Sequence, residues 1–78
     1  MTVKRRYNKR LEQGLPVSLC NAMEEMRLSW MLEDAGGLDP IWGSRWKTLK
    51  AEIGIAKAKG EISEEQAKYL TKVYLRMD

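Results

Sequence analysis

Few side chains in this sequence can do covalent chemistry. Cys20 is the only thiol, and the 78-residue chain has no histidine. Neither a Ser-His nor a Cys-His nucleophile pair can be assembled from it. A tetrahedral zinc site of nitrogen and sulfur ligands is excluded for the same reason. Cys20 falls in the first turn of an expected helix. The commoner role of such a cysteine is a small buried apolar residue, and that is expected here. Glu33, Asp34 and Asp39 gather around Gly36-Gly37, without the spacing of a calcium loop. No glycine-rich phosphate loop occurs. The reading is therefore of a protein that is not an enzyme, with no catalytic residue, metal or cofactor.

What remains is the chemistry of association. Lys4, Arg5, Arg6, Lys9 and Arg10 surround Tyr7 in the segment KRRYNKR. Such cations attract phosphates through counterion release, and a tyrosine stacks on bases. The same arm suits an acidic protein face, or serves only as a solvated tail. A second basic row is Lys47, Lys50 and Lys57, which shares one helix flank with Gly43 and Gly54, about a right angle from the tryptophans. Phosphate contact is one account of it. The preferred account is internal, with these charges facing an acidic neighbouring helix across exposed pairs worth ~0–1 kcal/mol each. The third feature is apolar: Leu28, Met31, Leu32, Ile55 and Leu75 lie outside the stripes that three short helices need for a core.

Three helical patterns position these groups. Leu19, Met23, Met26 and Trp30 form a stripe within residues 18–35, with Ser18 as expected cap. Trp42, Trp46, Leu49, Ile53 and Ala56 form another within 40–59, opened by Asp39-Pro40 or, alternatively, by Ser44. Gly54 in mid-helix marks either a close backbone approach or a tolerated loss. Ala67, Leu70, Tyr74 and Met77, widened by Val73, form the third within 64–77, after the capping box Ser63 to Gln66. Gly14 and Pro16 close a short segment of marginal helicity. The expected architecture is all-α: a small three-helix domain over residues 17–78, preceded by a basic, mobile or weakly helical arm over 1–16.

Charge follows the same division. The net +3 conceals +4 on residues 1–16, −4 on residues 17–40 and +4 on residues 41–60. A lone cysteine fits a reducing, cytoplasmic compartment, and no apolar run is long enough for a membrane span. These features predict a non-enzymatic protein-binding module. A regulator or inhibitor of phage or mobile-element type, acting on a nucleic-acid-handling partner, has this size and style. Its apolar face would grip a protein partner, a second copy in a homodimer being one case. Direct nucleic-acid binding through the arm is the alternative.

Overall fold

The computed structural model describes residues 7–77, which fold into a 3-10 turn and three helices with no strand among them. The first helix, α1, spans Val17–Asp34; α2 spans Trp42–Ala58; α3 spans Glu64–Val73. Helices α1 and α2 run antiparallel. The Ser18 hydroxyl near the start of α1 donates to Glu52 in the second half of α2 (3.0 Å). At the other end Glu25 of α1 lies 3.6 Å from Arg45 of α2.

The three stripes face inward except at Met77. Leu19, Met23 and Met26 from α1, Leu49, Ile53 and Ala56 from α2, and Ala67 and Leu70 from α3 are buried together. Trp30, Trp42 and Trp46 pack partly buried against this core. Adjacent indoles of the triplet meet at centroid distances of 5.5 and 6.4 Å.

Helix ends depart from expectation in three places. Ser18 does not cap α1: Pro16 holds the cap position without a side-chain bond, and the Ser18 hydroxyl is engaged by Glu52. Helix α2 starts at Trp42, later than expected, with neither Asp39 nor Ser44 as cap. Asp39 instead accepts Ile41 N–H at 3.1 Å and binds the Ser29 hydroxyl and Arg45. Its carboxylate is drawn into the core by Ser29, which is fully buried. The capping box of α3 forms in both directions, Ser63 Oγ to Gln66 N–H and Gln66 Oε1 to Ser63 N–H.

The largest departure follows α3. The helix stops at Val73 instead of continuing to residue 77. Trp30 Nε1 donates to the Tyr74 carbonyl and Trp46 Nε1 to the Leu75 carbonyl (3.0 Å). These indoles satisfy carbonyls that a helix end leaves unpaired. Arg76 then takes the left-handed conformation at φ 55°, which a non-glycine side chain adopts at some cost. Its guanidinium offsets that cost with two bonds to Asp34 (3.0 and 2.8 Å) and a cation–π contact 4.1 Å above Trp30. The turn folds Leu75 inward to 3% exposure and leaves Met77 exposed.

Candidate interaction surfaces

Four of the five surplus apolar residues stand at the surface. Leu28 is 50% exposed, Met31 63%, Leu32 44% and Ile55 49%. Leu75 is the exception: as part of the core it cannot grip a partner, because the chain leaves α3 two residues before it. Ile55 is also separate from the rest. It lies near the C-terminal end of α2, about 20 Å along the helix from the α1–α2 connection. Leu28, Met31 and Leu32 cluster on the last two turns of α1, on the side opposite Leu19 and Met26. Leu38, in the connection that follows, is 89% exposed, and Ile41 is half-exposed. Exposed apolar residues are thus concentrated around the C-terminal end of α1 and the connection after it, with Val17 and Ile55 standing apart. The sequence reading missed Leu38, whose isolation in a loop gives no periodic signal.

Within the patch Leu32 packs against Gly37 of the following turn, whereas Leu28 and Met31 lie on the side of α1 away from the core. Helix α1 already buries Leu19, Ala22, Met23 and Met26 on its inner face. A hydrogen-bonded turn closes it, with Gly37 N–H bound to the Leu32 carbonyl at 2.9 Å and Gly36 at φ 87°.

The basic arm divides in two. Lys4, Arg5 and Arg6 lie outside the described residues. From Tyr7 onward the arm is docked on the body and includes a 3-10 turn, the weakly helical of the two expected forms. Asn8 N–H donates to the Tyr69 hydroxyl (2.8 Å), and Asn8 Oδ1 caps the 3-10 turn Lys9–Glu12. Gln66 Nε2 donates to the carbonyls of Leu11 and Gln13. Glu12 accepts from the hydroxyls of both Tyr69 and Tyr74. Arg27 lies 3.8 Å from Glu12 and donates to the Tyr74 hydroxyl. Tyr7 closes the cluster, edge-on to Tyr74 at 5.5 Å and beneath Arg27 at 5.3 Å. A tyrosine so engaged offers a base at most its outer half, which is 51% exposed.

The cluster perturbs its own titrations. Burial, reinforced by the hydrogen bond to Glu12, pushes Tyr69 up to about 12. Burial raises Tyr74 further, partly countered by Arg27. The Tyr74 hydroxyl in turn raises Arg27, against the effect of burial. Asp39 is lowered, chiefly by the Ser29 hydroxyl.

Arginines and lysines play different parts. Every arginine among the described residues is in an ion pair: Arg10 with Glu65, Arg27 with Glu12 and Glu24, Arg45 with Glu25 and Asp39, Arg76 with Asp34. The rim pairing expected between α1 and α2 is made by Arg45 alone. Lys9, Lys47, Lys50 and Lys57 have no described carboxylate within 4.0 Å. Lys50 instead rests 5.3 Å over the Trp46 ring. Gly43 and Gly54 have nothing within 4 Å of where a Cβ would stand, so no backbone approaches either.

Between α2 and α3 lies an open groove of about 530 Å³, lined by Ile53, Lys57, Ala67, Lys68, Thr71, Lys72 and Met77. Of these only Lys57 stands among the binding residues expected from the sequence; Ile53, Ala67 and Met77 stand there as stripe residues. Lys68, four residues after Glu64, and Lys72, in the last turn of α3, have local explanations in the sequence as helix-stabilising charges; which flank of α3 meets α2 is a tertiary fact.

Cys20 is exposed rather than buried, since α1 turns its inner face one position away, toward Leu19. Among the described residues no cluster of three or more histidine, cysteine or acidic side chains could hold a metal. None of their helices is long and apolar enough to cross a membrane. No family model, curated protein or solved structure matches the chain.

Proposed function

We propose that this protein is a non-enzymatic binding module that grips another protein through the apolar end of α1. One observation carries the reading: Leu28, Met31 and Leu32 stand at the surface, on the side of a helix whose other side already fills the core. An exposed apolar cluster rimmed by polar residues is how protein interaction sites present themselves. Met31 adds an adaptable contact, since a thioether side chain fits irregular surfaces. The neighbouring acids Glu24, Glu25 and Asp34 are held by Arg27, Arg45 and Arg76, so the patch is framed by neutralised pairs. A regulator or inhibitor acting by occupancy is the class of function this supports. The absence of histidine from the sequence favours occupancy over catalysis.

The double substitution Leu28→Asp/Leu32→Asp tests it. Both side chains are about half-exposed, so the fold should survive and far-UV circular dichroism should not change. Proteins retained by the immobilised wild type should be lost from the variant. Light scattering over a concentration series tells whether the occupant is a second copy, in which case the variant is monomeric. Undiminished retention by the variant, together with no self-association of the wild type, would remove the proposal. A steep salt dependence of binding to random duplex DNA would support the arm as a phosphate contact instead.

A further inference from the structure

The groove between α2 and α3 combines an apolar floor with a cationic rim. Ile53 and Ala67 are buried at its base and the more exposed Met77 lines it; Lys57 comes from α2, and Lys68 and Lys72 from α3. Its volume of about 530 Å³ falls within the ~300–1,000 Å³ of ordinary binding clefts. We infer that this groove docks an acidic amphipathic helix of a partner protein. The inference does not depend on the α1 patch, which belongs to a different face.

Charge and spacing select that occupant. No described carboxylate lies within 4.0 Å of any of the three lysines. Lys57 and Lys72 occupy the last turns of their helices, where they also complement the helix dipoles. Lys68 has no such role, and Glu64, one turn before it, makes no ion pair with it. Lys68 and Lys72 are one helical turn apart, about 6 Å. Carboxylates four residues apart on a docked helix repeat at the same interval, and its apolar side meets the floor. A phosphate backbone would satisfy the lysines and leave the floor uncovered. The chain's own Lys4, Arg5 and Arg6 carry the wrong sign. A second copy is disfavoured too: of the α1 acids flanking its apolar patch, Glu24, Glu25 and Asp34 are paired with arginines and Glu33 accepts the Asp39 N–H.

The test uses the full chain, isotope-labelled, titrated with a synthetic amphipathic helix of about five turns. One version carries leucines on one face flanked by glutamates; the other has lysines in place of the glutamates. Amide shifts should centre on Ile53, Lys57, Ala67, Lys68 and Lys72, with the acidic peptide binding about tenfold tighter or more. Lys57→Gln/Lys68→Gln/Lys72→Gln should cost about tenfold in affinity. Removing equal charge elsewhere, by Lys47→Gln/Lys50→Gln/Lys59→Gln, should cost less than about threefold. Leu28→Asp/Leu32→Asp should leave this binding unchanged, so loss of one face is read separately from loss of the other. The inference is overturned by absence of binding at millimolar acidic peptide, by equal loss from the two lysine triples, or by shifts centred on α1. It is equally overturned if a short DNA duplex displaces the peptide from the groove lysines with comparable affinity.

Discussion

Glu12→Ala should loosen the whole molecule, although Glu12 sits in a short turn outside the three helices. Its carboxylate is 19% exposed and accepts the hydroxyls of Tyr69 and Tyr74, with Arg27 3.8 Å away. A hydrogen bond to a charged acceptor contributes ~1.5–3 kcal/mol. Two are lost, and water entering from the open side replaces part of each, so ~2–4 kcal/mol is expected. For a domain this small each kcal/mol moves Tm by ~4–8 °C, and a fall of roughly 10–30 °C follows. The matched control is Glu24→Ala, which removes the other acid at Arg27, 62% exposed at 3.2 Å; an exposed pair is worth ~0–1 kcal/mol. Urea unfolding of Glu12→Ala, Tyr69→Phe and the double variant completes a cycle. A coupling of about 1–2 kcal/mol between the two sites is expected. Additivity within ~0.3 kcal/mol, or a Glu12→Ala variant as stable as the control, would show that residues 7–16 are not docked on α3 in solution.

The same network sets a ceiling on pH. Tyr69 and Tyr74 have folded-state pKa values above their usual 10; their contribution is complete below pH 10 and is lost as the pH rises through the folded values. The urea midpoint should fall from about pH 10 upward, and Tyr69→Phe should flatten that fall. Asp39 works in the opposite direction: its depressed pKa contributes stability above its usual 3.8 that is lost on acidification, so Asp39→Asn should blunt acid unfolding. Gly54→Ala should stabilise by ~0.5–1 kcal/mol in denaturant unfolding, because the site is an exposed helix interior with open space for a methyl group. Trp30→Phe and Trp46→Phe should each cost ~1–3 kcal/mol more than Trp42→Phe. The first two indoles cap carbonyls after α3, whereas Trp42 Nε1 is buried with no hydrogen-bond partner among the described residues.

The inner stripes were legible because they are periodic. Trp42 to Ala56 and Leu19 to Met26 could be placed from spacing alone, and the Ser63–Gln66 box marked its helix start to the residue. What escaped depended on partners distant in sequence. Asp39 looked like a cap because nothing in residues 39–44 reveals that Ser29 will claim its carboxylate. Leu75 looked like surplus because a straight helix was extrapolated through it; two indoles, one 45 residues earlier than Leu75 and one 29 earlier, end that helix. Cys20 illustrates the narrower error of judging burial by residue type when its position on the helix, one step from Leu19, decides the matter. The groove lysines show the reverse: Lys68 and Lys72 had sufficient local explanations until α2 was set beside them.

The division of labour between cations ties these points together. A guanidinium's rigid fork suits fixed pairing, while an ammonium remains hydrated and mobile. Here the described arginines fasten elements to one another: Arg27 joins α1 to the arm, Arg45 joins α2 to α1, and Arg76 joins the chain after α3 to α1. Their carboxylate partners are therefore spent inside the fold. With those acids paired, Lys57, Lys68 and Lys72 are left on α2 and α3 with no described carboxylate within 4.0 Å, whereas Glu24, Glu25 and Asp34 beside the apolar end of α1 each face an arginine. The outcome is two surfaces of contrasting chemistry on one small scaffold, a neutral apolar patch and a cationic groove. A charge-reversing change at a pairing arginine should therefore damage stability first, and one at Lys68 should change association while leaving the unfolding free energy within ~0.5 kcal/mol of the wild type.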